Sequence, residues 1–116
     1  MVNNNIVVLK LDYRGSYGYG AKFAESIKGN VGKGDVADVL SSLAFIKKSM
    51  NIGDTYLMGN SYGGYLALRS IVSYPASFKG AISINGVTDW ALMLKYLRTS
   101  VFNVDFNGLL NKNNKK

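Results

Sequence analysis

The period of the apolar positions changes along the chain, and each change marks an element. Residues 6–12, Ile-Val-Val-Leu-Lys-Leu-Asp, are β-branched and almost continuously apolar, the pattern of a strand covered on both faces. The next eight residues, Tyr-Arg-Gly-Ser-Tyr-Gly-Tyr-Gly, require a sharply turning loop, and residues 21–28 a short helix that Gly29, Gly32 and Gly34 interrupt. From Asp35 onward, Val36, Val39, Leu40, Leu43 and Ile46 recur at helical spacing while Asp38, Ser42 and Lys47 fall elsewhere. This predicts an amphipathic helix with Asp35 as its N-cap, closed by Asn51 and Gly53. A short apolar strand follows at 55–58, then a helix from Tyr62 to about Ser73 that stops before Pro75, then a strand at 79–85. Strand, helix, helix, strand, helix, strand is the order of an α/β fold, a parallel sheet of about three strands with flanking helices. Residues 87–100 carry Trp90, Met93, Leu94, Tyr96 and Leu97 and read as partly helical core, with a binding-pocket wall around Trp90 as the alternative. Beyond Phe102 the chain turns Asn-rich and basic; residues 1–102 are expected to form the domain and 103–116 a fraying basic tail.

The densest chemistry lies between the second strand and its helix, Thr55-Tyr-Leu-Met-Gly-Asn-Ser-Tyr-Gly-Gly-Tyr-Leu66. Ser61 stands between Gly59 and Gly63, with Gly64 following, in the spacing of a nucleophile elbow. There the serine occupies a strained strand-to-helix turn, and the flanking glycines are expected to be required because a Cβ would strike neighbouring backbone. The helix behind it aims free N–H groups at the serine hydroxyl, so the backbone N–H of Tyr62 is the natural oxyanion donor.

Charge and composition narrow the alternatives. Fourteen basic against seven acidic residues give +7, but Lys112, Lys115 and Lys116 belong to the tail and Lys47 and Lys48 suit a helix C-terminus. No nucleic-acid partner is expected from so scattered a charge. The loop spacing G-x-x-G-x-G is neither a dinucleotide fingerprint nor a P-loop, and with no cysteine or histidine no metal or cofactor is called for. Asp35 and Asp38 read as a cap and a first-turn acid, not as a metal pair. The opening apolar run is too short for a signal or a span, so the expectation is a cytoplasmic protein with no membrane partner.

Five segments together carry a resemblance: Asp12-Tyr-Arg-Gly-Ser-Tyr-Gly-Tyr-Gly20, Gly32-Lys-Gly-Asp35-Val-Ala-Asp38-Val, Gly59-Asn-Ser-Tyr-Gly-Gly-Tyr65, Tyr74-Pro75 with Phe78-Lys79, and Thr88-Asp89-Trp90. In order and spacing the chain resembles the catalytic α/β-hydrolase domain of the prolyl oligopeptidase family, especially its acylaminoacyl-peptidase and dipeptidyl-peptidase-like branches. The resemblance implies an α/β-hydrolase fold, here incomplete, and a serine peptidase acting on peptides through an acyl-enzyme. It makes Ser61 the nucleophile and Tyr62 a supplier of one oxyanion-hole N–H, with no cofactor.

The departures define the expectation further. The family completes its triad with an aspartate and a histidine well downstream of the elbow, and a second oxyanion donor comes from a loop ahead of the first strand here. None of these is found in the 116 residues, and the histidine count is zero. The chain is therefore expected to be a central fragment, either completed by a companion chain that supplies the aspartate and histidine, or else a non-catalytic remnant or partner-binding fragment of such a peptidase. Asp89 falls where the family has a structural Asp-Trp, and no lysine is placed by motif as a substitute base. Arg14 is expected to fold back on Asp35 or Asp38 and lock the glycine loop under the elbow.

Overall fold

The computed structural model describes residues 2, 3 and 5–99. Strands β1 (Val2–Asn3) and β2 (Ile6–Val7) form a small antiparallel hairpin, and the glycine loop leads to helix α1 (Ala21–Glu25) and the long helix α2 (Gly34–Ser49). A β–α–β unit follows: strand β3 (Tyr56–Asn60), helix α3 (Tyr62–Ser73) and strand β4 (Gly80–Ile84), then helix α4 (Trp90–Thr99). Strands β3 and β4 pair in parallel, Tyr56 opposite Gly80 through Asn60 opposite Ile84. The ladder runs one bond past each end, from the Lys79 N–H to the Thr55 carbonyl and from the Ser61 N–H to the Ile84 carbonyl.

The α/β class is therefore realised with two parallel strands among the described residues, not about three. The run at 6–12 is the correction. Its first two residues fold back on β1 across Asn5, at φ 63°, and Ile6, Val8 and Leu9 stay exposed. A neighbouring hairpin closes a short loop, whereas joining β3 would close one of dozens of residues, so the local partner costs less entropy. The expected tail at 103–116 lies outside the described residues.

The core forms where α2 and α3 cross above the sheet. Val36 and Val39 of α2 pack with Leu66 of α3 and with Phe78, bordered by Leu11, Leu40, Leu43, Leu57 and Ile71. These are the α2 positions that the helical period selected, because one stripe of a helix can face a sheet. α3 covers one face of the sheet only. On the other, Tyr56, Met58, Ile82 and Ile84 lie side by side by the period-two rule and remain exposed, Met58 at 73%.

α2 begins two residues earlier than the cap reading allows. Lys33 is its N-cap, without a side-chain cap bond, and Asp35 sits in the first turn with its carboxylate turned inward and fully buried. At α4 the capping logic does apply: the Asp89 carboxylate accepts the Leu92 N–H at 2.9 Å. Asp89 is thus a helix cap, which accounts for the Asp-Trp pair structurally.

Candidate active site at the strand-to-helix turn

Ser61 links β3 directly to α3. Its backbone stands at φ 54° and ψ −117°, one of three positive φ values among the described non-glycine residues. Such a conformation costs on the order of 1–3 kcal/mol and persists only when the surroundings hold it. They do so from both sides: the Ser61 N–H is bound by Ile84 of β4, and the Ser61 carbonyl accepts the Tyr65 N–H in the first turn of α3. The side chain is exposed and its hydroxyl makes no hydrogen bond to any described residue. With the Ser61 N–H committed to the sheet, the first uncommitted donor beside that hydroxyl is the N–H of Tyr62, the opening residue of the helix.

The glycines divide differently from the sequence expectation. A Cβ on Gly59 would run into the Gly63 carbonyl, so the strand can meet the helix this closely only without a side chain there. A Cβ on Gly64 would lie 2.6 Å from the Ser83 Oγ and 2.9 Å from the Gly86 Cα, which makes Gly64 the point of contact between α3 and β4. Gly63 is the correction. A Cβ there would meet nothing within 4 Å, so the turn itself leaves room for a side chain at that position.

Around Tyr62 the structure assembles four aromatic rings. Tyr62 stacks on Tyr13 of the glycine loop, with centroids 5.5 Å apart, and lies 5.5 Å from Tyr65 and 5.8 Å from Trp90. Trp90 and Tyr65 meet edge to face at 5.2 Å. Trp90, expected either as core or as a pocket wall, is half-buried and packs directly beside the residue that follows Ser61. Tyr65 was legible as a neighbour of Tyr62, three residues on along one helix face; Tyr13 and Trp90 could be joined to them only by the fold. The Tyr62 hydroxyl donates to the Asp35 carboxylate at 2.5 Å. Burial, then that bond, push the Tyr62 phenol well above its ordinary value. Tyr65 is also raised, chiefly by burial, with the Trp90 indole acting in the opposite direction.

Arg14 takes Asp38 as its partner, and the loop is pinned to α2 as expected. A depression of about 470 Å³ opens between Leu11, Arg14, Phe23 and Asp38. It includes none of the turn residues, and its arginine and Asp38 are already paired. Among the described residues no three acidic, histidine or cysteine side chains cluster as a metal site would require, and no helix is long and apolar enough to cross a membrane.

Comparison with known proteins gives a consistent result. The model of the prolyl oligopeptidase family matches residues 1–116. The chain is 36% identical over 89 residues to acylamino-acid-releasing enzyme 1 of Oryza sativa subsp. japonica, and 35% identical over 89 residues to the acylamino-acid-releasing enzyme of Homo sapiens; each match covers 75% of this chain and 12% of the relative. It is 33% identical over 86 residues to the uncharacterized peptidase YuxL of Bacillus subtilis strain 168, covering 72% of this chain and 13% of that protein. The chain thus spans about an eighth of the length of these curated relatives.

Proposed function

The chain belongs to the prolyl oligopeptidase family, a family of serine peptidases, and on that premise we propose that Ser61 is the nucleophile of an acyl transfer from peptide substrates. The observation that carries the reading is the Ser61 backbone: a strained, exposed serine fixed between a parallel strand and a helix N-terminus. In this reading the Ser61 Oγ attacks the scissile carbonyl carbon and gives up its proton to a base. The carbonyl oxygen, now negative, accepts the Tyr62 N–H, and the amine leaves with the proton held by the base. An acyl-enzyme on Ser61 remains for water to hydrolyse. Trp90, with Tyr62 and Tyr65, offers the wall against which the acyl side chain rests.

The base is the missing group. No histidine is present among the 116 residues, so the imidazole and the carboxylate that orients it come from residues outside them, on the same polypeptide or on a companion chain. Intact-mass detection of a fluorophosphonate adduct tests this. The chain is treated alone and with the polypeptide encoded next to it, Ser61→Ala serving as control. Labelling at Ser61 only in the mixture is the expected result, and an adduct that survives Ser61→Ala overturns the mechanism.

A second reading is that the chain binds a partner without catalysing anything, which the bare face of Tyr56, Met58, Ile82 and Ile84 favours. Its expected signature is obligate association in sedimentation, together with no labelling in either tube; a stable monomer at high concentration counts against it.

A further inference from the structure

We propose that Asp35 is a positioning residue, which through its hydrogen bond to the Tyr62 hydroxyl fixes the aromatic wall beside Ser61 and so sets which acyl side chain that wall accepts. The substrate half of this statement rests on the reading of Ser61 as nucleophile; the geometric half does not.

Asp35 is 0% exposed, in a place where an apolar side chain would cost far less to bury. It has no cation directly bound, since the nearby guanidinium of Arg14 gives its hydrogen bonds to Asp38. Its two oxygens are satisfied separately, Oδ1 by the Val36 N–H at 3.0 Å and Oδ2 by the Tyr62 hydroxyl at 2.5 Å. What a carboxylate does here that a leucine could not is hold a phenol by its far end.

That phenol belongs to the hub of the ring cluster. Tyr62 packs against Tyr13 of the glycine loop and against Tyr65 and Trp90, so a change in its rotamer displaces both the loop and the wall. The near end of the side chain is fixed as the first residue of α3, next to the strained Ser61. With the far end bound to Asp35 the ring is held at two points. α2 therefore sets the position of a surface adjacent to the nucleophile although none of its residues need touch the substrate.

The single tryptophan of the chain, Trp90, reports on the wall. The experiment compares the wild-type chain with Asp35→Asn, Tyr62→Phe, the double variant, and Leu43→Ala, which trims the core-facing stripe of α2, as a control for general loosening of that helix. Acrylamide quenching of Trp90 is expected to rise about twofold in each single variant and no further in the double, as residues acting through one bond should behave. Leu43→Ala is expected to leave quenching unchanged. In the presence of the adjacent polypeptide, the labelling rate with an aryl fluorophosphonate relative to a methyl one is expected to fall about fivefold in Asp35→Asn, whereas a merely structural loss lowers both rates together.

Unchanged quenching in Asp35→Asn or Tyr62→Phe, or an equal rise in Leu43→Ala, overturns the proposal. Should Asp35→Asn fail to fold, Tyr62→Phe decides, because it keeps the ring and deletes only the hydroxyl. If the wild-type chain takes up neither probe, the nucleophile reading falls and the Trp90 quenching alone judges Asp35.

Discussion

Arg14 holds Asp38 with three donors: its backbone N–H at 3.0 Å and its Nε at 2.8 Å meet Oδ2, and its Nη2 at 2.8 Å meets Oδ1. The forked guanidinium matches the carboxylate, and the backbone N–H adds a third contact that does not depend on the side chain. The glycine loop is thereby fastened to α2, while the neighbouring Tyr13 lies on Tyr62. Both side chains are about one-third exposed, which screens the pair, so Arg14→Ala is expected to lose about 1–2 kcal/mol in urea unfolding.

The same pair gives an acid dependence. Hydrogen bonding from Arg14 outweighs burial and holds the Asp38 carboxyl below its ordinary value of 3.8. A carboxyl whose folded value is depressed binds more protons in the unfolded state, so its contribution is complete above the unfolded value and is lost as pH falls through the folded one. Chemical unfolding of Asp38→Asn between pH 5 and about pH 2 is expected to lack that share of the wild-type acid loss.

At the turn, the glycines should not be equivalent. Gly59→Ala forces a methyl into the Gly63 carbonyl and is expected to cost about 3 kcal/mol or more. Gly63→Ala has open space and a helical position, and should be neutral or stabilising by up to about 1 kcal/mol. Thermal unfolding of the two variants side by side checks the contrast.

Strain at Ser61 carries its own expectation. Ser61→Gly relieves the positive φ and should raise stability by about 1 kcal/mol while removing the hydroxyl and all fluorophosphonate labelling. Ser61→Ala, which keeps the Cβ, should remove labelling without that gain in melting temperature.

Tyr62 should remain un-ionised beyond the range in which exposed tyrosines titrate. Its phenol is raised above 10.0 by burial and by the Asp35 carboxylate. A raised folded value means that the folded state keeps a proton which the unfolded state gives up. The associated stability is present below pH 10 and is lost as pH rises beyond it. An absorbance titration of tyrosinate is expected to show a late step coincident with unfolding, to which the raised Tyr13 and Tyr65 also contribute, and Tyr62→Phe should shrink that step by one tyrosine.

Much of this was legible in local pattern. The α2 stripe from Val36 to Leu43, the span of α3 and the strands either side of it follow from period, glycine and proline, because each depends on neighbours in sequence. The turn serine was legible for the same reason, since strand, glycine, serine, glycine and helix are consecutive. Where local pattern misled, the deciding atoms were distant. Asp35 reads as a cap until Tyr62 is placed opposite it, and Gly63 reads as indispensable until the direction of its missing Cβ is known.

The sequence by itself determined the α/β order, the elbow spacing and the absence of an internal imidazole base, since all three are properties of residue type and separation along the chain. Only the tertiary structure decided that Asp38 and not Asp35 takes Arg14, that Gly64 and not Gly63 touches β4, and that Tyr13, Tyr62, Tyr65 and Trp90 form one cluster. It also decided that, among the described residues, the run at 6–12 stays out of the parallel sheet, which has two strands and one exposed apolar face. Such choices are made by distances between segments far apart in the chain, which no spacing within one segment encodes.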